Sequence, residues 1–147
     1  HIEVAAYPEF HPQARSAEDD LNHFVRKCQA GADSAITQYF FNIDSYFWFV
    51  DEVQSRGVNI PIVPGIMPIA SFSKLARFSE TCGAEIPRWL RLKLQSYADD
   101  TASIKALGLD VVTQMCERLL ANGAPSLHFY TLNQAGLVST ICQRLGY

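Results

Sequence analysis

The 147 residues predict an α/β fold built on parallel strands. Short apolar, β-branched runs alternate with helically periodic segments four times over, and each crossover is long enough for a helix, whereas antiparallel neighbours are joined by short hairpins. The strand-like runs are apolar nearly throughout, which suits a sheet covered on both faces. With 48% hydrophobic and 12% aromatic residues, the chain has the apolar material for the core of about one domain.

Residues 1–7, H-I-E-V-A-A-Y, are rich in small and β-branched side chains and run into Pro8, which predicts a strand followed by a loop. Ser16-x-x-Asp19 then resembles a capping box. Leu21, Phe24, Val25 and Cys28 follow the spacing of a helix that faces the core on one side, up to Gly31. Residues 34–40 form the second predicted strand. Asp44 opens a second helix through Tyr46, Phe47, Phe49, Val50 and Val53, closed at Arg56-Gly57.

The third strand is predicted at 60–63, with Pro64-Gly65 and Pro68 stiffening the loop after it. Ser71 begins a third helix through Phe72, Leu75, Phe78 and Cys82, ending at Gly83. From Pro87 to about Asn122 the pattern is helical twice over, with a break near 97–100. Residues 126–132, S-L-H-F-Y-T-L, are the fourth strand, and 135–145 the last helix.

Covered parallel strands leave an open doubly wound sheet or a (β/α)8 barrel. Neither G-x-G-x-x-G nor G-x-x-x-x-G-K-[ST] occurs, which weighs against the nucleotide-binding open sheets. A barrel takes eight strands and about 250 residues. Four strand–helix units therefore suggest half of one, and a chain that opens inside a strand without Met is expected to be the remainder of something longer.

A net charge of -3 supplies no basic field for nucleic acid, and the apolar runs are far short of the roughly 20 residues of a membrane span. The four cysteines, at 28, 82, 116 and 142, lie in helical patterns without a C-x-x-C pair, so reduced, buried thiols of a cytoplasmic protein are expected, and no metal site.

Function in parallel α/β folds collects at the C-terminal ends of strands. Those positions are Tyr7, Glu9 and His11 after the first strand, Gln38 in the second, Pro64-Gly65 after the third, and Thr131 and Asn133 after the fourth. His11, between two prolines, reads equally as a solvated loop residue or a ligand contact. Asp20, His23 and Lys27 share one edge of the first helix, a pattern that also describes a solvated face. Phe78 lies on a stripe with Leu75 and Cys82, where a phenylalanine is usually core. Gln38 is the oddity: an unpartnered buried amide in an apolar strand costs roughly 1–3 kcal/mol. Near the mouth of a barrel the same side chain would find a ligand or water.

Longer strings carry a resemblance. A-A-Y-P-E-F-H-P (5–12), D-L-N-H-F-V-R-K (20–27), G-A-D-S-A-I-T-Q-Y-F-F (31–41), P-G-I-M-P-I (64–69), I-P-R-W-L (86–90) and H-F-Y-T-L-N (128–133) resemble the methylenetetrahydrofolate reductases, in one register along essentially the whole chain. The resemblance implies a (β/α)8 barrel holding FAD, of which residues 1–147 would be the C-terminal half, strands five to eight. It also implies NADH or NADPH reducing FAD and leaving before 5,10-methylenetetrahydrofolate binds and is reduced to 5-methyltetrahydrofolate. A homo-oligomer is expected as well.

Matched position by position, Tyr7, His11, Ala14, Asp20, His23, Arg26 and Lys27 would line the FAD, where cations suit a pyrophosphate and a carboxylate suits ribose hydroxyls. Gln38 would position the substrate, since an amide both donates and accepts. Phe78 would stack on the p-aminobenzoyl group or the nicotinamide nucleotide. Two positions depart from the family pattern: Lys74 stands in place of a glutamine that contacts folate, and Gln134 in place of an arginine near the folate's distal part. The family's glutamate general acid falls in the first half, outside these residues. The competing reading is a non-catalytic half-barrel that binds a ligand or assembles with a partner, and the sequence upstream of His1 discriminates between them. Half a barrel on its own should expose strand edges and apolar inner faces.

Overall fold

Strands form in the β-branched and small-residue runs, Glu3–Ala6 (β1), Ser34–Thr37 (β2), Ile62–Val63 (β3), Gly65–Ile66 (β4) and His128–Phe129 (β5), with β2 and β4 mostly buried and the edge strand β1 mostly exposed. The computed structural model describes residues 1–147. Between the strands lie Ala17–Gln29 (α1), Ile43–Ser55 (α2), Phe72–Cys82 (α3), Arg88–Ser96 (α4), Thr101–Ala121 (α5) and Ala135–Arg144 (α6). Every strand pairing is parallel: β1 with β2, β2 with β3, and β4 with β5. The chain is an α/β fold with a three-stranded sheet, β1-β2-β3, and a two-stranded one, β4-β5.

The third strand differs from the sequence expectation. Residues 64–65 were expected to be loop, yet Gly65 starts β4 and pairs with His128. The reason lies in Pro64, which has no N–H to donate and so splits one strand in two. At the break the buried Thr37 hydroxyl accepts the Gly65 N–H at 2.8 Å, while the Pro64 carbonyl accepts from His128 at 3.0 Å. The other strands are shorter than expected; β2 ends at Thr37, one residue before Gln38, whose N–H still reaches the Ala6 carbonyl at 2.8 Å.

Helix ends follow their caps. Ser16 Oγ accepts the Asp19 N–H at 3.1 Å, and Asp100 accepts the Ser103 N–H at 3.1 Å. Helix α2 begins one residue before Asp44, because Asn42 is its cap. The break between α4 and α5 is a turn through Ala98 at φ 48°.

The apolar stripes meet as their spacing requires. Leu21, Phe24 and Val25 of α1 and Tyr46, Phe49 and Val53 of α2 are buried, with the Phe24 and Phe49 rings 5.1 Å apart. Leu90 and Leu94 of α4 join Ile104, Val112, Met115 and Leu119 of α5 in the same core. Each such side chain contributes about 1.5–3 kcal/mol on burial. Of the cysteines, all free, only Cys116 is buried; the other three are half-exposed, contrary to the expectation that all would be interior. No helix is long and apolar enough to cross a membrane.

Candidate functional site

Parallel pairing puts the C-terminal ends of the strands at one end of the fold, and there the backbone comes unusually close. A Cβ on Gly65 would lie 2.2 Å from the Thr37 carbonyl oxygen and 2.6 Å from the Tyr130 ring, so only glycine permits this approach. The Tyr130 hydroxyl donates to that same Thr37 carbonyl at 2.9 Å. The ends of β2, β4 and β5 are thereby locked together, and the loops that leave them build two grooves.

The first groove lies between the segment after β1 and the exposed edge of α1. Tyr7, His11, Ala14, Asp20, His23 and Lys27 line it, together with Gln13, Arg15 and Asp19, around a solvent-open space of about 800 Å³. Arg26 is exposed and lies outside this lining. Several polar groups are already tethered. Asp20 accepts the His11 N–H at 2.9 Å, and His11 Nδ1 accepts the Gln13 N–H at 3.1 Å, which leaves Nε2 as the ring's free nitrogen. The Tyr7 and His11 rings meet edge to face, with centroids 4.7 Å apart. Lys27 Nζ donates to the Ala5 carbonyl; burial lowers its pKa, and the neighbouring Asp20 carboxylate works in the opposite direction.

The second groove runs between α3 and the β5–α6 loop, and Lys74, Phe78 and Gln134 all line it, with Leu132 and, farther along, Arg77 and Cys82. Phe78 is 41% exposed, so the helical stripe that made it look like core instead presents it to the groove. Leu132 and Asn133 both have positive φ, 47° and 60°, and the turn is closed by the Gln134 N–H to Thr131 carbonyl bond at 2.9 Å. A left-handed leucine is unfavourable. Here it turns an apolar side chain, 51% exposed, into the groove.

Gln38 belongs to neither groove by itself. It lines a small cavity with Tyr7, Glu9, Tyr39 and Cys82, and this cavity shares Tyr7 with the first groove and Cys82 with the second. Its Oε1 accepts the Tyr39 N–H at 3.0 Å, so part of the cost of placing an amide there is met by its own backbone. Tyr39 is buried, its hydroxyl 3.2 Å from Ser79 Oγ of α3, and burial raises its pKa. Burial also pushes the Glu9 carboxyl up to about 7, although the Glu85 N–H, donating at 2.8 Å, pulls the other way.

Arg15, Gln13, Arg77 and Leu132 were not singled out by sequence reasoning. Arg77 has a signal, lying three residues after Lys74 and so on the same side of α3. Leu132 has none, because its exposure comes from a backbone conformation that leucine rarely adopts. No cluster of three or more His, Cys, Asp or Glu side chains is positioned to hold a metal.

The family model for methylenetetrahydrofolate reductase matches residues 1–146. The chain belongs to the methylenetetrahydrofolate reductase family. Among curated relatives, the 5,10-methylenetetrahydrofolate reductase of Escherichia coli strain K12 is 41% identical over 145 residues, 99% of this chain and 49% of that protein. The enzyme of the same name from Buchnera aphidicola subsp. Acyrthosiphon pisum is also 41% identical, over 99% of this chain and 50% of its own length. Methylenetetrahydrofolate reductase 1 of Schizosaccharomyces pombe is 37% identical, with 24% of its length covered. The chain thus spans about half the length of the bacterial reductases it matches. A solved structure from Clostridium thermocellum, described as an uncharacterized protein that binds two copies of 5-methyl-5,6,7,8-tetrahydrofolic acid, shares the fold of this reductase-family chain. It has a TM-score of 0.62 at 21% identity, covering 95% of this chain and 50% of that one.

Proposed function

We propose that this chain is the C-terminal half of a (β/α)8 barrel that reduces 5,10-methylenetetrahydrofolate to 5-methyltetrahydrofolate, with the other half supplying the remaining strands. The observation that carries the proposal is the position of Gln38, in a cavity that shares a wall residue with each groove, Tyr7 with the first and Cys82 with the second. A residue that serves two substrates in turn at one cofactor needs such a position.

The first groove suits FAD. His11, Arg15, His23 and Lys27 offer donors for phosphate oxygens, and Asp19 and Asp20 offer acceptors for ribose hydroxyls, around a space of about 800 Å³, within the usual 300–1,000 Å³ of a small-ligand pocket. FAD, when bound, relays a hydride from NADH or NADPH to the folate. The chain's own residues position the reactants. Phe78 offers an exposed ring for a p-aminobenzoyl or nicotinamide group to stack on. Gln38 has its Oε1 engaged by Tyr39, so its Nε2 is the group free to donate to a pterin or a carboxamide. Turning the side chain away from Tyr39 would free the acceptor as well. Lys74 and Arg77, at the rim of the second groove, give a carboxylate tail its counter-charge where Gln134 replaces the family's arginine.

NADH or NADPH and folate would then occupy the same place in succession, a ping-pong order in a cytoplasmic homo-oligomer. The general acid comes from the other half. The test is direct: the full-length protein should purify yellow and reduce menadione with NADH or NADPH. A colourless protein indifferent to added FAD overturns the proposal.

A further inference from the structure

Glu9 has no part in the chemistry above, yet its placement is costly. One carboxylate oxygen accepts the Glu85 N–H at 2.8 Å, across 76 residues of sequence, and the other, Oε1, is buried without a partner. The cavity around it is lined by Tyr7, Gln38, Tyr39 and Cys82 with one proline, a phenylalanine, a glycine and an alanine, and by no lysine, arginine or histidine. The adjacent Phe10 is held at φ 105°, a conformation a phenylalanine adopts only under constraint. Two anchors bracket it: Glu9 on Glu85, and Pro12 against Gly83, where a Cβ would lie 2.5 Å from the proline Cγ.

We infer that Glu9 is a positioning residue that latches the β1–α1 loop, carrying Tyr7 and His11 of the first groove, to the segment directly after α3, the helix that carries Phe78 of the second. The latch fixes the separation of the two grooves. Its consequence for catalysis rests on the proposed function; the latch itself rests on the contacts alone.

The latch is controlled by a proton. Burial pushes Glu9 from its ordinary 4.5 up to about 7, and the nearby Glu85 carboxylate adds to the rise. Of the other titratable groups that face Glu9, Tyr39 after β2, Cys82 on α3 and Tyr7 on its own loop, none carries positive charge. Ionised, Glu9 is therefore a half-buried charge whose Oε1 has neither a partner nor solvent. Swinging the loop out would bring water to that oxygen and relieve it. The sign follows. A carboxyl with a folded value above its unfolded one contributes stability fully below about 4.5, and that contribution is lost as the pH rises through about 7.

The experiment is hydrogen exchange at the Glu85 amide and across residues 9–12 of the full-length protein, at about pH 6 and about pH 8, corrected for the intrinsic rate. The wild type should lose protection about tenfold over that interval, as the ionised form comes to outnumber the neutral one by that ratio. Glu9→Gln, neutral at both values, should keep its protection, and Glu9→Ala should lose it at both. Protection that is independent of pH in the wild type overturns the inference. So does a fall in Glu9→Gln equal to that of the wild type, which would give the control to another group. If Glu9→Ala fails to fold, the comparison with Glu9→Gln still decides. The readout is amide exchange and not flavin content or turnover, so a failure of the enzymatic assignment leaves this result standing.

Discussion

The two grooves are built on opposite plans. In the first, the polar groups are held before any ligand arrives: Asp20 is tied to the His11 N–H, His11 to Gln13, and Lys27 to the Ala5 carbonyl. In the second, Phe78 and Leu132 lie half-exposed, and neither Lys74 nor Arg77 belongs to any of the chain's ion pairs. A preorganised polar site loses little entropy on binding and suits a group that stays. An apolar groove with unpaired, exposed cations at its rim suits molecules of different shape that come and go. The contrast teaches that retention and exchange call for different local chemistry, here only a few side chains apart.

Both plans depend on the strand ends that carry them, so the largest effect should come from breaking that shared base. Gly65→Ala forces a methyl group against the Thr37 carbonyl at 2.2 Å and the Tyr130 ring at 2.6 Å. Backbone cannot yield as a flexible side chain does, and overpacking of this kind costs about 3 kcal/mol. The expected outcome is a fall of several degrees in the unfolding midpoint by calorimetry, with flavin content and folate turnover lost together. An unaltered midpoint would mean that the strand ends are not the common support.

Gln38→Ala separates what Gly65→Ala joins. Losing a hydrogen bond to a bound substrate costs about 1–3 kcal/mol, so folate turnover should fall about 10- to 100-fold while flavin content per protein holds. Steady-state kinetics beside the absorbance of bound flavin checks this. Equal loss of both would make Gln38 a structural residue.

The sequence made the alternation of strands and helices legible because a covered parallel sheet needs apolar runs and each helix needs one apolar face. It made the first groove legible as well, since Asp20, His23 and Lys27 recur along one helix edge. The division of the third strand was hidden, because Pro64-Gly65 ordinarily announces a turn; only the Thr37 hydroxyl and the partner β5 allow pairing to resume at Gly65. Phe78 could not be told from core by spacing, because a stripe at helical period specifies a face and not what covers it. Glu9 was legible only as a polar residue after the first strand, with no sign of its partial burial. Its burial depends on Glu85, Tyr39 and Cys82, which are distant in sequence.

A smaller pair of changes should pull the two grooves apart. Asp20→Ala removes the acceptor of the His11 N–H, a charged hydrogen bond worth about 1.5 kcal/mol or more, so flavin should bind roughly tenfold more weakly in a fluorescence titration. Phe78→Ala should leave that titration unaltered and raise KM for folate by a similar factor, through loss of a stacking contact worth about 0.5–1.5 kcal/mol. If each change altered both quantities equally, the grooves would be one site.

The smallest effect should fall on the rim. Lys74 is exposed, and an exposed charge attracts a carboxylate only weakly, by about 1 kcal/mol or less. Lys74→Ala should therefore raise KM for a folate with a carboxylate tail by a few-fold and leave KM for NADH or NADPH alone. Because the attraction is screened over about 8–10 Å at moderate ionic strength, the difference between wild type and variant should shrink as salt is added. Arg77 stands close by and carries the same charge, so the single change should be partial and the double change with Arg77→Ala larger. If the difference in KM were independent of salt, Lys74 would act through its aliphatic stem packed on the groove, and the contrast between a tethered groove and an adaptable one would then rest on shape alone.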